Sequence, residues 1–302
     1  MVAVVASAAN AVLLATSFGF AEEATPPGRL VTVADAMLHV YCVGHGTPAV
    51  VFEAGLGGNY LDWTFVQAQV GTRRLACSYD RAGAGWSGRT SRPRTAEMLA
   101  EELHLSMRAA GVPAPFVLVG HSFGGLLSQN YLARYPDDVA GLVLVDAMHP
   151  REFTRFAAAG VDVPRDPQTV LGRTPAFAAT HGLPESLWPL ATRLAGADKA
   201  RVFVVREMKA MFGIADEVDP QARPARPVRV LTHGNREWDV PYPDGRMEAA
   251  WLAMQNDLAT RFGAPPVIVV PASGHQIALD APASVESAID AVVEEVVSAA
   301  AH

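Results

Sequence analysis

The sequence has few cysteines, no cluster of basic residues and no internal repeat. Its 302 residues include two cysteines and nine histidines. Two cysteines are too few for a disulfide-based scaffold, and the cysteines and histidines do not follow the spacing of zinc sites. Lysine and arginine are scattered and the net charge is −7, which argues against nucleic acid as a partner. The lack of a fixed period excludes repeat architectures.

Charge is also missing from the N-terminus. Residues 1–21 carry no charged side chain and consist mainly of Ala, Val, Leu and Phe. Glu22 and Glu23 follow, and residues 19–21 have the small-x-small pattern of a cleavage site. We interpret residues 1–27 as a signal peptide or an N-terminal membrane anchor, which predicts an exported (periplasmic or secreted) or membrane-anchored protein. An export signal normally begins with a basic residue, and none is present here, so the alternative is an apolar leader on a cytoplasmic protein.

Half of the residues are hydrophobic, and short apolar runs alternate with helical segments after the leader. Eight runs have the character of strands: GRLVTV, AMLHVYCVG, PAVVFEAG, RRLACSYDRAG, PFVLVG, VAGLVLVDA, PVRVLTHG and PPVIVVPASG. Helices are predicted around Trp63, from Thr95 to about Ala110, over FGGLLSQNYLARY and after Asp280. The alternation predicts an α/β fold, with a mostly parallel eight-stranded sheet flanked by helices.

The alternation stops between residues 147 and 226, where no run resembles a buried strand. We predict that this stretch, the cap segment, is a helical insertion between the sixth and seventh strands. It divides the core into residues 28–146 and 227–302. Its large apolar side chains either line a substrate pocket or pack as the cap's own core. These residues are Phe153, Phe156, Phe177, Leu183, Leu187, Trp188, Leu190, Phe203, Met208, Met211 and Phe212.

The pattern G-x-S-x-G occupies residues 120–124, where a strand gives way to a helix. A serine on so tight a turn has strained backbone angles, and glycines two positions away avoid a collision with it. The free N–H groups of the following helix favour negative charge at the turn. We therefore predict that Ser122 is a nucleophile. The alternative is a glycine-rich turn with a helix-capping serine.

A serine hydroxyl needs a general base, and the base needs an orienting acid. His275 follows the last strand and precedes the last helix, so its imidazole can lean over Ser122, and we predict that it is the base. His121 is adjacent to the serine, and its ring is expected to point away from the hydroxyl and to pack or hydrogen-bond elsewhere.

Three carboxylates are candidates for the acid. Asp146 ends an apolar strand, at the edge of the sheet where ligands bind. Glu237 and Asp239 follow the next strand along the chain. A carboxylate at a strand end can also be an ordinary turn residue, so the residues by themselves leave the choice open.

An oxyanion hole requires two backbone N–H groups near the nucleophile. One is expected from Phe123, which follows the serine, and the other from Leu56 in the glycine-rich loop EAGLGG after the third strand.

These motifs resemble those of the α/β-hydrolase fold superfamily from Gly28 to about Ala300, and PPGRLV at residues 26–31 is similar to capped bacterial serine hydrolases and esterases. The resemblance is carried by GHSFGG, EAGLGG, SGHQIALDAP and YDRAGAGWSG. The family's usual His-Gly oxyanion motif reads Ala54-Gly55 here, which is tolerable because the backbone supplies the donor. Family members with the acid after the earlier strand place it about two dozen residues past the nucleophile. The resemblance therefore favours Asp146 as the acid, with Glu237 as the alternative.

The resemblance implies hydrolysis of carboxylic esters or lactones through an acyl-enzyme on Ser122, with no metal or organic cofactor. An amidase or a perhydrolase remains open, and the alternative from another class is a non-catalytic small-molecule receptor on the same fold. A serine nucleophile argues against haloalkane dehalogenases and epoxide hydrolases, which use an aspartate in this fold. The expected partner is a small, apolar acyl or ester substrate.

The resemblance also implies that the second and fourth strands are neighbours. Cys42 and Cys77 lie on these strands, and they form a disulfide if the chain is exported or remain buried free thiols otherwise. Asp80 and Arg81, in YDRAGAGWSG, are expected to brace their loop rather than to take part in chemistry.

Overall fold

A computed structural model describes residues 25–164, 180–217, 226–237 and 242–301. The described strands are β1 Arg29–Val33, β2 Ala36–Val43, β3 Val50–Glu53, β4 Ala76–Tyr79, β5 Phe116–His121, β6 Val139–Val145, β7 Val228–His233 and β8 Ile268–Val270. They form one sheet in the order β1-β2-β4-β3-β5-β6-β7-β8. β2 is antiparallel to β1 and β4, and the other neighbouring pairs are parallel. The prediction of a mostly parallel eight-stranded sheet is confirmed.

Helices cover both faces of this sheet. They are α1 Thr64–Gly71, α2 Ala96–Ala109, α3 Phe123–Arg134, α4 Glu152–Ala158, α5 Trp188–Gly196, α6 Asp198–Glu217, α7 Arg246–Arg261, α8 Ile277–Asp280 and α9 Pro282–Ala300. Successive residues of a strand point to opposite faces, so Leu118 of β5 joins an apolar cluster with α2, α3 and α7, while Val117 and Val119 join one with α1 and α9. Burial on both faces explains why β5 and β6 are continuous apolar runs.

The cap segment between β6 and β7 contains α4, α5 and α6 and no strand within its described residues, as predicted. Some of its apolar side chains pack against the core, such as Phe156 against Trp251, and others pack within the cap, such as Phe153 against Phe212. Phe177 lies outside the described residues.

Two elements differ from the expectation. α7 was not predicted, although Trp251, Met254 and Leu258 form a buried stripe at helical spacing. The closing helix is preceded by the short α8, because Pro282 begins a separate helix.

The two cysteines form a disulfide. Cys42 of β2 lies directly opposite Cys77 of β4 in the antiparallel register, and their sulfur atoms are bonded. The neighbouring position of the two strands is therefore confirmed, and of the two interpretations the structure contains the disulfide.

No helix in the described part of the chain is both long and apolar enough to cross a membrane. The predicted leader, residues 1–27, falls almost entirely outside the described residues.

Candidate active site

Ser122 lies on a sharp turn between β5 and α3. Its φ of 52° and ψ of −122° are unfavourable for a residue with a side chain. A Cβ on Gly120 would lie 2.3 Å from the Ser128 hydroxyl oxygen, and one on Gly124 would lie 2.3 Å from the carbonyl oxygen of Glu53. Both flanking positions therefore require glycine, as the motif predicts.

His275 connects the serine to a carboxylate. Its Nε2 lies 3.0 Å from Ser122 Oγ, and its Nδ1 lies 2.6 Å from Asp146 Oδ2. A carboxylate only accepts hydrogen bonds, so Nδ1 carries the proton and the lone pair of Nε2 faces the hydroxyl. The structure thus brings Ser122, His275 and Asp146 together in the order that a general base requires.

Asp146 is fully buried at the end of β6 and has a positive φ of 45°. Besides His275, its carboxylate accepts hydrogen bonds from Thr232 Oγ1, from the N–H and Nδ1 of His233, and from Trp251 Nε1. Burial alone would raise the pKa of this carboxyl, but the hydrogen bonds from the two histidines outweigh burial and hold the pKa below its usual range. Asp146 is therefore ionised at neutral pH.

Glu237, the alternative acid, does not contact the imidazole of His275. Its Oε1 instead accepts a hydrogen bond of 3.0 Å from the His275 backbone N–H. Glu237 thus holds the loop that carries the histidine. Asp239 lies outside the described residues.

His121 is buried beside the elbow, with its ring 4.7 Å from that of His275. Burial and the neighbouring His275 lower its pKa to about 3, so the ring is neutral. Nε2 lies 2.8 Å from the carbonyl oxygen of His275 and donates to it. His121 therefore supports the histidine loop and does not contact the serine hydroxyl through a hydrogen bond.

The loop of residues 54–58 lies against the elbow. A Cβ on Gly55 would lie 3.4 Å from Ser122 Cβ. Among the described residues, no hydrogen bond uses the backbone N–H of Leu56 or Phe123. The two predicted oxyanion donors therefore belong to segments that meet at Ser122.

Arg81 holds this loop from behind. Its guanidinium donates to the carbonyl oxygens of Ala54 and Gly55, each at 2.7 Å. It also pairs with Glu53 and with Glu207 of the cap helix α6, and all three charged groups are buried. Since the carbonyl and N–H of one peptide point in opposite directions, binding the Gly55 carbonyl turns the N–H of Leu56 away from Arg81. The expectation that Arg81 braces its surroundings agrees with these contacts, while Glu207 was not foreseen.

His233 is a second histidine on Asp146 that sequence reasoning missed. It ends β7, next to β6, and its Nδ1 lies 2.6 Å from Asp146 Oδ2. Its Nε2 lies 3.0 Å from Glu248 Oε2 on α7. The argument that singled out Asp146, a polar residue at the carboxyl end of a buried strand, applies equally to His233.

In the described part of the chain, one group of side chains has the types and proximity that a metal ion needs, namely Asp146, His233 and His275. Their ligand atoms are already engaged in the hydrogen bonds given above, so the arrangement is accounted for without an ion.

An eight-stranded sheet with a serine elbow after β5, a carboxylate after β6 and a histidine after β8 is the arrangement of the α/β-hydrolase fold. The sequence profile of a family described as alpha/beta hydrolase fold matches residues 48–187, just under half of the chain.

Two curated relatives share part of the sequence. The chain is 34% identical over 103 residues to the uncharacterized protein YqjL of Bacillus subtilis, a match that covers 34% of this chain and 41% of YqjL. It is 36% identical over 104 residues to the (lyso)-N-acylphosphatidylethanolamine lipase of Bos taurus, covering 33% of this chain and 30% of the lipase. The match thus spans less than half of the length of these relatives.

Among solved structures, the chain is similar to a Pseudomonas aeruginosa protein provisionally described as an epoxide hydrolase. The TM-score is 0.68 with 17% identity, and the alignment covers 90% of this chain and 96% of the other. At this identity the similarity shows the fold alone.

Proposed function

We propose that the protein is a serine hydrolase that cleaves carboxylic esters through an acyl-enzyme on Ser122. The observation that carries this proposal is the continuous set of hydrogen bonds from Asp146 through His275 to Ser122. The lipase relative from Bos taurus supports hydrolysis of an acyl bond. A serine at the elbow disfavours epoxide opening, which in this fold uses an aspartate nucleophile.

In the proposed acylation, Ser122 Oγ attacks the ester carbonyl while His275 Nε2 removes its proton. The ionised Asp146 holds the imidazole by Nδ1 and stabilises its positive charge. The N–H groups of Leu56 and Phe123 bind the oxyanion of the tetrahedral intermediate. His275 then gives the proton to the leaving alcohol, and the acyl group remains on Ser122.

Deacylation repeats these steps with water as the nucleophile. His275 removes a proton from water, the hydroxide attacks the acyl carbonyl, and collapse of the second tetrahedral intermediate returns the proton to Ser122. The products are a carboxylic acid and free enzyme, so no cofactor is consumed.

The surroundings of the elbow favour an apolar acyl group. Phe123 belongs to an apolar cluster with residues of α2, α3 and α6, and Leu56, Phe153 and Met211 are partly buried at its margin. Apolar walls with a few polar groups are typical of small-molecule sites.

A fluorophosphonate probe followed by peptide mapping tests the nucleophile. We expect labelling at Ser122, loss of labelling and of p-nitrophenyl butyrate turnover in Ser122→Ala, and retention of both in Ser106→Ala. Ser106 is the matched control because its buried hydroxyl only donates within α2, to the Glu102 carbonyl. Absence of labelling and turnover in a folded wild-type protein contradicts the proposal and favours a small-molecule receptor.

We also propose that the protein is exported. The disulfide between Cys42 and Cys77 supports this, because disulfides persist mainly in oxidising compartments. Expression with and without residues 1–27, followed by fractionation of periplasm, membrane and cytoplasm, tests it. Recovery of both forms only from the cytoplasm contradicts export.

A further inference from the structure

We propose that His233 is a positioning residue of the proposed reaction: a second, cationic imidazole on Asp146 that sets the pH at which His275 becomes an active base. This inference rests on the proposed function, because it concerns the same histidine and carboxylate.

The charge of His233 follows from its hydrogen-bond partners. Nδ1 lies 2.6 Å from Asp146 Oδ2, and Nε2 lies 3.0 Å from Glu248 Oε2. Both partners are carboxylates, which only accept hydrogen bonds, so each ring nitrogen must carry a proton. Burial by itself lowers the pKa of His233, but the hydrogen bonds and charges of Asp146 and Glu248 outweigh it and raise the pKa to about 9. His233 is therefore an imidazolium at neutral pH.

His275 binds the same oxygen of Asp146, but its second ring nitrogen has a different kind of partner. Its Nδ1 lies 2.6 Å from Oδ2, while its Nε2 faces the Ser122 hydroxyl rather than a second carboxylate. The neutral form of His275 satisfies both contacts. One carboxylate oxygen is thus shared between a permanent cation and a base that must start neutral.

The cation opposes protonation of the base. The ring centroids of His233 and His275 lie 6.4 Å apart. At this distance a fixed positive charge disfavours a second one, and it also offsets part of the negative charge by which Asp146 would stabilise a protonated His275. The charge of His233 therefore opposes the positive charge that His275 takes up when it acts as the base, and we expect this opposition to set the pH range in which His275 is active.

The hydrogen bonds close into a ring. Glu248 Oε1 accepts the Glu237 backbone N–H at 2.6 Å, and Glu237 Oε1 accepts the His275 backbone N–H. His233 is thus connected to the imidazole of His275 through Asp146 and to the backbone of His275 through Glu248 and Glu237. Glu237 therefore has a structural contact in this ring of hydrogen bonds, although it does not touch the imidazole.

Other titratable groups face the same centre. His121 packs on the His275 ring, and Asp280 accepts the backbone N–H of Gly274 in the same loop. Glu152 of α4 lies within electrostatic range of Asp146, and burial raises its pKa to about 8. Because Glu152 can titrate near neutral pH, the test must follow the imidazole of His275 itself and not activity alone.

The decisive experiment is ¹⁵N NMR of the histidine rings across pH in wild type, His233→Gln and His104→Gln. Glutamine removes the charge at position 233 but can still donate to Asp146. The matched control is His104, whose Nδ1 lies 2.7 Å from Asp138 on another part of the fold. We expect His233 to be doubly protonated at pH 7, and the pKa of His275 to rise by about one unit in His233→Gln and to stay unchanged in His104→Gln.

Kinetics give a second readout. In the profile of kcat/KM for p-nitrophenyl acetate against pH, the acid limb of His233→Gln should lie about one pH unit higher than that of wild type. Activity on the alkaline side should remain nearly that of wild type. A purely structural role would lower activity at all pH values and leave the limb in place, which overturns the proposal. The proposal is also overturned if NMR shows that His233 of the wild-type protein is neutral at pH 7. This measurement uses the wild type alone, so it remains valid even if the variant does not fold. A failure of the proposed function appears separately, as absence of probe labelling at Ser122.

Discussion

At the scale of single residues, Asp146 is a buried carboxylate that needs several hydrogen-bond donors. Three donors reach its Oδ1 and two histidines reach its Oδ2, and its backbone adopts a positive φ. An ionised carboxylate with no exposure needs such a set of donors, since an unpaired buried charge is costly. The donors on Oδ1 fix the carboxylate in the orientation in which Oδ2 meets His275.

We expect Asp146→Asn to lower kcat by about 10³- to 10⁴-fold, because an amide N–H facing Nδ1 leaves the proton of His275 on Nε2, the wrong nitrogen for a base. Glu237→Gln retains an oxygen for the His275 N–H and should cost about tenfold or less. Steady-state kinetics with p-nitrophenyl acetate compares the two variants. A larger loss in Glu237→Gln than in Asp146→Asn would contradict this assignment of the acid.

At the scale of elements, the cap segment is attached to the loop of residues 54–58 through buried charges. Glu207 of α6 pairs with Arg81, which binds the carbonyl oxygens of Ala54 and Gly55, and a second buried arginine, Arg94, also approaches Glu207. The packing of a cap helix therefore bears on the orientation of the Leu56 N–H.

We predict that Glu207→Gln lowers the free energy of unfolding by about 2 kcal/mol or more, since it weakens a buried charged pair. It should also lower kcat more than it raises KM, because Arg81 no longer holds the loop of residues 54–58 as firmly. Urea denaturation and initial rates measure the two effects. Lys209→Gln, an exposed change on the same helix, serves as the control, and equal effects of the two substitutions would refute the coupling.

Gly124 and Gly213 differ in the space that a side chain would have at each position. A Cβ on Gly124 would lie 2.3 Å and 2.4 Å from the carbonyl oxygens of Glu53 and Ala54, whereas one on Gly213 of α6 would meet nothing within 4 Å. We expect Gly124→Ala to displace the loop and abolish most activity, and Gly213→Ala to stabilise the protein by about 0.5–1 kcal/mol through helix propensity. Thermal unfolding and activity measurements distinguish them, and a fully active Gly124→Ala would refute the steric argument.

At the scale of the whole molecule, the disulfide ties the antiparallel side of the sheet together. It joins residues 35 positions apart on β2 and β4, away from the strand ends that position Ser122 and Asp146. We therefore expect it to contribute to stability rather than to the proposed reaction.

We predict that the double variant Cys42→Ala/Cys77→Ala loses about 2–4 kcal/mol of unfolding free energy, as expected for a loop of this length, while kcat at 25 °C stays within about threefold. Denaturation of wild type with and without reductant provides the comparison. A double variant as stable as oxidised wild type would show that the disulfide is dispensable.

Much of the fold could be predicted because its signals are local. The eight apolar runs, the glycine pattern around Ser122 and the position of His275 between the last strand and the last helix all appear in short windows of sequence. α7 escaped prediction because its buried stripe is sparse, with polar residues between Met254 and Leu258. Leu56 could be proposed as an oxyanion donor from the sequence because the glycines of residues 55–58 indicate a close backbone approach.

The sequence by itself determined the elbow serine, the order of the strands along the chain and the candidates for base and acid, since periodicity and backbone strain depend on neighbouring residues. Only the tertiary structure decided that Asp146 and not Glu237 meets His275, that His233 shares the same carboxylate, and that Glu207 reaches Arg81. These contacts join residues separated by 129, 87 and 126 positions. Hydrogen bonds between such distant segments depend on how strands and helices pack, and no local pattern specifies that packing.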